Sequence, residues 1–398
     1  MTYSDFSCEI NIKKNPLNLN VDDYLEVALR NNPKRRFLFV SKTLGKHIPV
    51  NPQKVDELGK TLADAYKMKY KNYLNQRQMV IGFAETATCL AHSFFNYLES
   101  SEFFIHTTRE EVKGAEKLEF LEEHSHATEQ NLYIDNLSDV ESIDSIILVD
   151  DEITTAKTCI NMIRKMQEVY NVKRYVIASI LNWIDEERKA EIKRQAEEMG
   201  CEISFVYLFN GSFNFKMNND ISLDDNIEVI DSDANNQEFE INNIKLDFSK
   251  YISDKKYVKY TGRFGISRAE QNELLDIIKE QGIKLKPKYS DKDILALGIE
   301  EFMYIPMMLS KTINGQVYYH SITRSPIIPR DVEGYPIRKK YKLESFYNEN
   351  TNFIYNLNAH EYKECFLFKE IDKDIDKVHE FIEILKSVGI KRVNIVRC

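Results

Sequence analysis

The chain has no run of 18 or more apolar residues, so no segment reads as a membrane-spanning helix. Its first residues, Met1-Thr2-Tyr3-Ser4-Asp5, lack the basic-then-apolar pattern of a secretory signal. The six cysteines (Cys8, Cys89, Cys159, Cys201, Cys365, Cys398) have neither metal-ligand nor redox spacing, which fits reduced thiols and a cytoplasmic location. A basic excess of the kind that grips nucleic acid through its phosphates is also missing. The net charge of −9 is local: residues 217 to 248 carry nine acids against one base, Lys245, and the remainder is nearly neutral. This polar, Asn/Asp-rich run reads as an acidic linker or insertion over 217–249. At 398 residues the chain has room for two ordinary domains, expected at 1–216 and 250–398.

What is present centres on Ser145 to Thr158. Ile146 to Val149 form a short apolar strand with Asp150 and Asp151 at its C-terminal end. A Thr-rich turn follows (Thr154, Thr155, Ala156, Lys157, Thr158), and then a helical pattern from Cys159. Ligands of open α/β sheets gather at strand C-termini, where a helix N-terminus offers free N–H groups and a positive dipole end. Paired carboxylates accept hydrogen bonds from vicinal hydroxyls, and such a turn wraps a phosphate. Together these features describe a ribose 5-phosphate site. A buried strand before an Asp/Thr-capped helix is the plainer reading.

Strands and helices alternate on both sides of this segment, which predicts a parallel, Rossmann-like sheet. The order recurs after the acidic run. Gly82 maps to Gly298 and Glu85 to Glu301, both 216 apart, while Thr108-Arg109 maps to Thr323-Arg324 at 215. Asn136-Leu137 maps to Asn356-Leu357 at 220 and Lys173-Arg174 to Lys391-Arg392 at 218. A fixed period is evidence of duplication. The expected fold is therefore α/β with two Rossmann-like parallel-sheet domains, the second a degenerate copy. Where the first copy has its acidic pair and turn, the second has Lys369-Glu370-Ile371-Asp372-Lys373-Asp374, which would repel a phosphate.

The strand, acidic pair and turn resemble the phosphoribosyl pyrophosphate (PRPP) signature of type I phosphoribosyltransferases, with Ala156-Lys157 where two glycines are common. Alanine lacks the freedom of glycine at positive φ. The ordered set of further segments is similar to the subgroup carrying a C-terminal domain named for Thr-Arg-Ser-Pro. Those segments are Phe39 to His47, Gly82 to Thr88, His106 to Arg109, His124 to Thr128, Gly298 to Tyr304 and Thr323-Arg324-Ser325-Pro326. That subgroup is associated with bacterial tellurium-resistance and stress gene clusters and is thought to make or modify a nucleoside-like metabolite.

The resemblance implies a PRPP-dependent transferase of nucleoside and nucleotide metabolism, using Mg²⁺, acting on an unidentified base-like acceptor and releasing pyrophosphate. The Mg²⁺ would sit at Asp150 and Asp151, directly or through water. Ala84, Glu85 and Thr86 would form the pyrophosphate loop. Arg109 would clamp pyrophosphate oxygens, with Lys113 behind it. His124 and His126 fall where such enzymes carry a mobile lid, to donate to pyrophosphate or shuttle a proton, or as ordinary loop residues. Arg35 to Pro49 reads as a hood over the acceptor base or as an edge strand. Glu300, Glu301, Thr323, Arg324 and Ser325 read as a second ligand site or as an internal salt-bridge network. Expected partners are PRPP and a small base-like acceptor, without membrane or nucleic acid, and a second copy in a homodimer. The other readings are a PRPP- or nucleotide-sensing regulator and an enzyme consuming a nucleotide with another nucleophile.

Overall fold

The computed structural model describes residues 1–32, 34–115, 117–121, 129–133, 142–218, 238–248, 251–252, 257–347, 350–370 and 375–398. The expected lid histidines His124 and His126, the Asn136-Leu137 pair and residues 371–374 lie outside them.

The chain begins with β1 (Phe6–Lys14) and a hairpin of β2 (Leu25–Leu29) and β3 (Phe37–Ser41). Next come α1 (Pro52–Lys69), β4 (Gln78–Gly82), α2 (Thr88–Tyr97) and β5 (Ser101–His106). A second hairpin, β6 (Leu118–Leu121) and β7 (Glu129–Leu132), leads to β8 (Ser145–Ile153) and α3 (Lys157–Val169). The first half closes with β9 (Arg174–Asn182), α4 (Glu186–Glu198) and β10 (Glu202–Met217). The second half holds β11 (Glu240–Lys245), β12 (Tyr251–Ile252), β13 (Tyr257–Val258), β14 (Ile266–Ser267) and α5 (Arg268–Gly282). It continues with β15 (Ile294–Ile299), α6 (Tyr304–Ser310), β16 (Val317–Ile322) and a hairpin of β17 (Lys340–Glu344) and β18 (Thr351–Tyr355). It ends with β19 (Glu364–Lys369), α7 (Ile375–Ser387) and β20 (Arg392–Arg397).

Local sequence explains the helix starts. Asn51 accepts from the Gln53 amide ahead of Pro52, whose missing N–H costs nothing at a first helical position. Ser267 and Glu270 cap α5 reciprocally, satisfying two orphan donors.

The larger sheet runs β1-β10-β9-β8-β4-β5-β14, with the five central strands parallel and the two outermost antiparallel. The second runs β11-β20-β19-β15-β16, all parallel. Four strands match in order, β5-β4-β8-β9 against β16-β15-β19-β20. The inserted hairpins match as well. Thr108, just past β5, bridges Asn131 in β7, and Thr323, just past β16, bridges Phe353 in β18.

Each half also contributes a segment to the other's sheet edge. Val50, before α1, bridges Tyr319 of β16, and Ile266, before α5, pairs with Phe104 of β5. Helices α1, α2, α5 and α6 pack together between the sheets. The apolar cores are shared accordingly: Val50, Val55 and Cys89 pack among second-half residues, and Ile327, Ile328 and Tyr355 among first-half ones.

Two details depart from the sequence reading. The stretch 217–249 is not wholly a linker, since Glu240–Lys245 forms an edge strand along β20 and Leu246 and Phe248 are buried. Strand β8 does not stop at Val149, because β9 pairs alongside it as far as Ile153.

Candidate active site

The C-terminal ends of β4, β5 and β8 open into a cleft of roughly 300 Å³. The extension of β8 makes Asp150, Asp151 and Glu152 successive strand residues, and all three line the cleft. The Asp151 amide donates to Asp150 Oδ1 at 2.9 Å. Burial raises the Asp151 carboxyl above its ordinary value, against the hydrogen bond with Asp150. Glu152 turns to the β2–β3 hairpin: Arg35 meets its Oε1 at 2.7 Å and Trp183 Nε1 donates to the same oxygen at 3.0 Å. Arg35 also lies over the Phe37 ring, 4.7 Å from its centroid. The β2–β3 hairpin and the acidic strand are thereby joined.

After β8 the chain turns through Ala156, whose φ of 58° and ψ of 16° put an alanine in the left-handed region. That residue precedes α3 without a side-chain cap, and Thr154, Lys157, Thr158 and Cys159 around this helix start line the cleft. Arg188 of α4 braces the turn, its Nε donating to the Thr155 carbonyl at 2.8 Å. Opposite, the loop after β4 is fixed by its backbone. The Ala84 amide donates to Thr107 Oγ1 and its carbonyl accepts from Gln130 Nε2, both at 2.8 Å. The peptide between Ala84 and Glu85 is cis.

Glu85 differs from an open loop residue. It is buried against Lys46, and although burial opposes it, Lys46 and then Arg109 hold its carboxyl below the usual value. Lys46 continues to the Glu300 carbonyl at 3.3 Å and Ser321 Oγ at 3.4 Å, which ties the loop to the second half.

Of the residues expected at the site, Ala84, Glu85, Thr86, Arg109, Asp150, Asp151, Thr154, Ala156, Lys157 and Thr158 line this one cleft, as do Arg324 and Ser325 of the second half. Thr155 stands just behind, its hydroxyl accepting from the Lys157 amide at 3.3 Å. No histidine lines the cleft among the described residues. Burial pushes His47 and His320 down to about 3 and His106 to about 4, so all three are neutral.

The second-half corner is a buried network rather than an open site. Arg324 reaches Glu300 Oε2 at 2.8 Å and Glu110 Oε1, from the first half, at 2.6 Å. Glu301 accepts from the Arg109 amide at 2.8 Å and from Thr108 Oγ1 at 2.5 Å. Thr323 is fully buried. At the ends of β15 and β19, Arg263 lies between Glu370, at 2.6 Å, and Glu301, at 3.4 Å. Arg263 on Glu301 is the counterpart of Lys46 on Glu85, and it reaches Glu370 in addition. Glu110, Arg188 and Arg263 carry no local motif; Lys46 lies in the Arg35 to Pro49 segment, and only the duplication offset could have paired it with Arg263, 217 residues apart.

The family comparisons agree with this geometry. Residues 24–212 match the family PRTase_2, described as phosphoribosyl transferase, and residues 260–385 match the TRSP domain, described as C-terminal to PRTase_2. The chain belongs to this family of phosphoribosyl transferase domains followed by a TRSP domain. No curated protein matches it. Among solved structures, it is similar to adenine phosphoribosyl transferase from Trypanosoma brucei in complex with AMP, pyrophosphate and ribose-5-phosphate, at 14% identity. That match covers 47% of this chain and 76% of the other, with a TM-score of 0.33. The adenine phosphoribosyltransferase of Rhodothermus marinus is 13% identical over 47% of this chain and 94% of its own, with a TM-score of 0.33. That of Leishmania donovani is 14% identical over 47% and 76%, with a TM-score of 0.31. Likeness at this level carries no argument about substrate. No helix among the described residues is long and apolar enough to cross a membrane.

Proposed function

We propose that this protein transfers the 5-phosphoribosyl group of PRPP to a base-like acceptor and releases pyrophosphate. The supporting observation is the convergence, in one cleft, of the acidic pair at the end of β8, the N-terminus of α3 and Arg109. Asp150 and Asp151 accept hydrogen bonds from the ribose hydroxyls. The first N–H groups of α3, with Thr154 and Thr158, hold the 5-phosphate. The bond from ribose C1 to pyrophosphate breaks, a bond from C1 to an acceptor nitrogen forms, and that nitrogen gives up its proton. Negative charge grows on the leaving pyrophosphate, so a fixed cation such as Arg109 acts more strongly in the transition state than in the ground state.

Mg²⁺, when bound, neutralises part of that charge. Two carboxylates with substrate oxygens and water suit this ion, and no group of three or more acidic, His or Cys side chains among the described residues would hold a metal alone. Lid roles for His124 and His126 remain part of the proposal. Arg324, Ser325 and Pro326 wall the cleft from the TRSP side, so the second domain completes the first domain's site.

The test is pyrophosphate release from PRPP and Mg²⁺ with a library of bases. Release that depends on one class of acceptor supports transfer. PRPP binding without release for any acceptor would make the protein a PRPP sensor instead.

A further inference from the structure

Four cations around the cleft have carboxylate partners among the described residues. Lys46 has Glu85, Arg35 has Glu152, Arg324 has Glu110 and Glu300, and Arg263 has Glu301 and Glu370. Arg30, on the cleft wall at the end of β2, forms no ion pair among the described residues. Its buried Nε has no hydrogen-bond acceptor there either. Its backbone holds the hairpin, the amide donating to the Arg36 carbonyl at 2.8 Å while the residue bridges Ile327 of the second domain. The guanidinium takes no part in that work. Burial, then the charges of Arg35 and Arg109, lower its pKa from the usual arginine value against the weaker pull of Glu152, which is itself paired with Arg35. A half-buried cation facing other cations is unfavourable unless an anion arrives to pair with it.

On the transfer reading above, both phosphate groups of PRPP already have donors, at the α3 N-terminus and at Arg109. Arg30 stands instead on the β2–β3 hairpin, with Leu38 of that hairpin and Pro326 of the TRSP motif also lining the cleft. Apolar side chains suit the faces of a ring, and a guanidinium fork suits a carboxylate. We propose that the acceptor is a heterocycle bearing a carboxylate, and that Arg30 is the residue that selects it. This rests on the phosphoribosyl-transfer reading.

The experiment uses the full chain with PRPP and Mg²⁺ and matched probe pairs, orotate with uracil and nicotinate with nicotinamide. Calorimetry reports PRPP affinity and pyrophosphate release reports turnover. The expected result is use of at least one acid with kcat/KM tenfold or more above its neutral partner. Arg30→Gln should lose at least tenfold on that acid while PRPP affinity stays within twofold, and Arg30→Lys should recover part of the loss. The melting temperature of Arg30→Gln should not fall, since the change removes an unpaired cation. PRPP binding with no preference for an acid, or a preference that survives Arg30→Gln, would overturn the inference and leave the transfer reading standing. A tenfold loss of PRPP affinity in Arg30→Gln would also overturn it, placing the guanidinium on pyrophosphate. Failure of the wild-type chain to bind PRPP would remove the parent reading and this inference with it.

Discussion

Ala156 holds a backbone conformation that costs an L-residue roughly 1 kcal/mol and costs glycine almost nothing, at the point where α3 must begin facing the cleft. Ala156→Gly should therefore stabilise the fold by about 1 kcal/mol, read as a shift in urea midpoint, without weakening phosphate binding. Glu110 makes a second residue-scale prediction. Burial first, then Glu301, lifts its carboxyl to about 7 despite Arg324. Between the ordinary carboxylate range and pH 7 the folded chain keeps a proton that the unfolded chain has lost. Stability contributed at this residue is therefore present at low pH and declines as pH rises through that window. Urea midpoints at pH 5 and pH 8 should fall further in the wild type than in Glu110→Gln. An equal change in both would remove Glu110 from the account. At this scale the acidic pair and its turn were legible in the sequence, because their chemistry sits within nine consecutive residues. Lys46 and Arg30 were not, since what marks each is a partner gained or lacking far along the chain.

The elements that sequence periodicity resolved are those with an apolar face of their own, such as α1, β8 and β19. Strand β11 escaped notice because Glu-Ile-Asn-Asn-Ile-Lys reads as polar linker until β20, about 150 residues later, supplies its hydrogen bonds. β14 is only two residues long and is defined by β5 of the other half. The segment before it delivers Arg263 to Glu301 and Glu370, so its side chain holds two elements of the second sheet against the first. Arg263→Ala should destabilise the protein by about 3–5 kcal/mol, because two buried carboxylates lose their counter-charge. Adding Glu370→Gln should recover part of that loss in the same denaturation assay. No recovery would mean that Arg263 acts by packing alone.

Across the whole molecule each half lends a segment to the edge of the other's sheet. Gly45 and Gly262 both have positive φ, 217 residues apart, and each lies under an aromatic ring of the other half, Tyr319 and Phe104. Lys46 and Arg263 follow them, and Val50 and Ile266 cross to the opposite sheets. We infer a duplication in which Lys46 on Glu85 and Arg263 on Glu301 are counterparts. The repeat period made this order readable, whereas the crossing of segments between halves has no local sequence signal. Residues 1–216 alone should then fail to fold stably, because Val50, Val55 and Cys89 lose the second-half residues that cover them. Co-expression with residues 238–398 should restore a protease-resistant complex. A stable, soluble 1–216 fragment would show that the shared core is dispensable. The central claim, a PRPP site at the end of β8, is tested most directly by calorimetric titration of PRPP with Mg²⁺ into the wild type and Asp150→Asn/Asp151→Asn. The account predicts a folded double variant that binds at least tenfold more weakly, and unchanged affinity in that folded variant would contradict it.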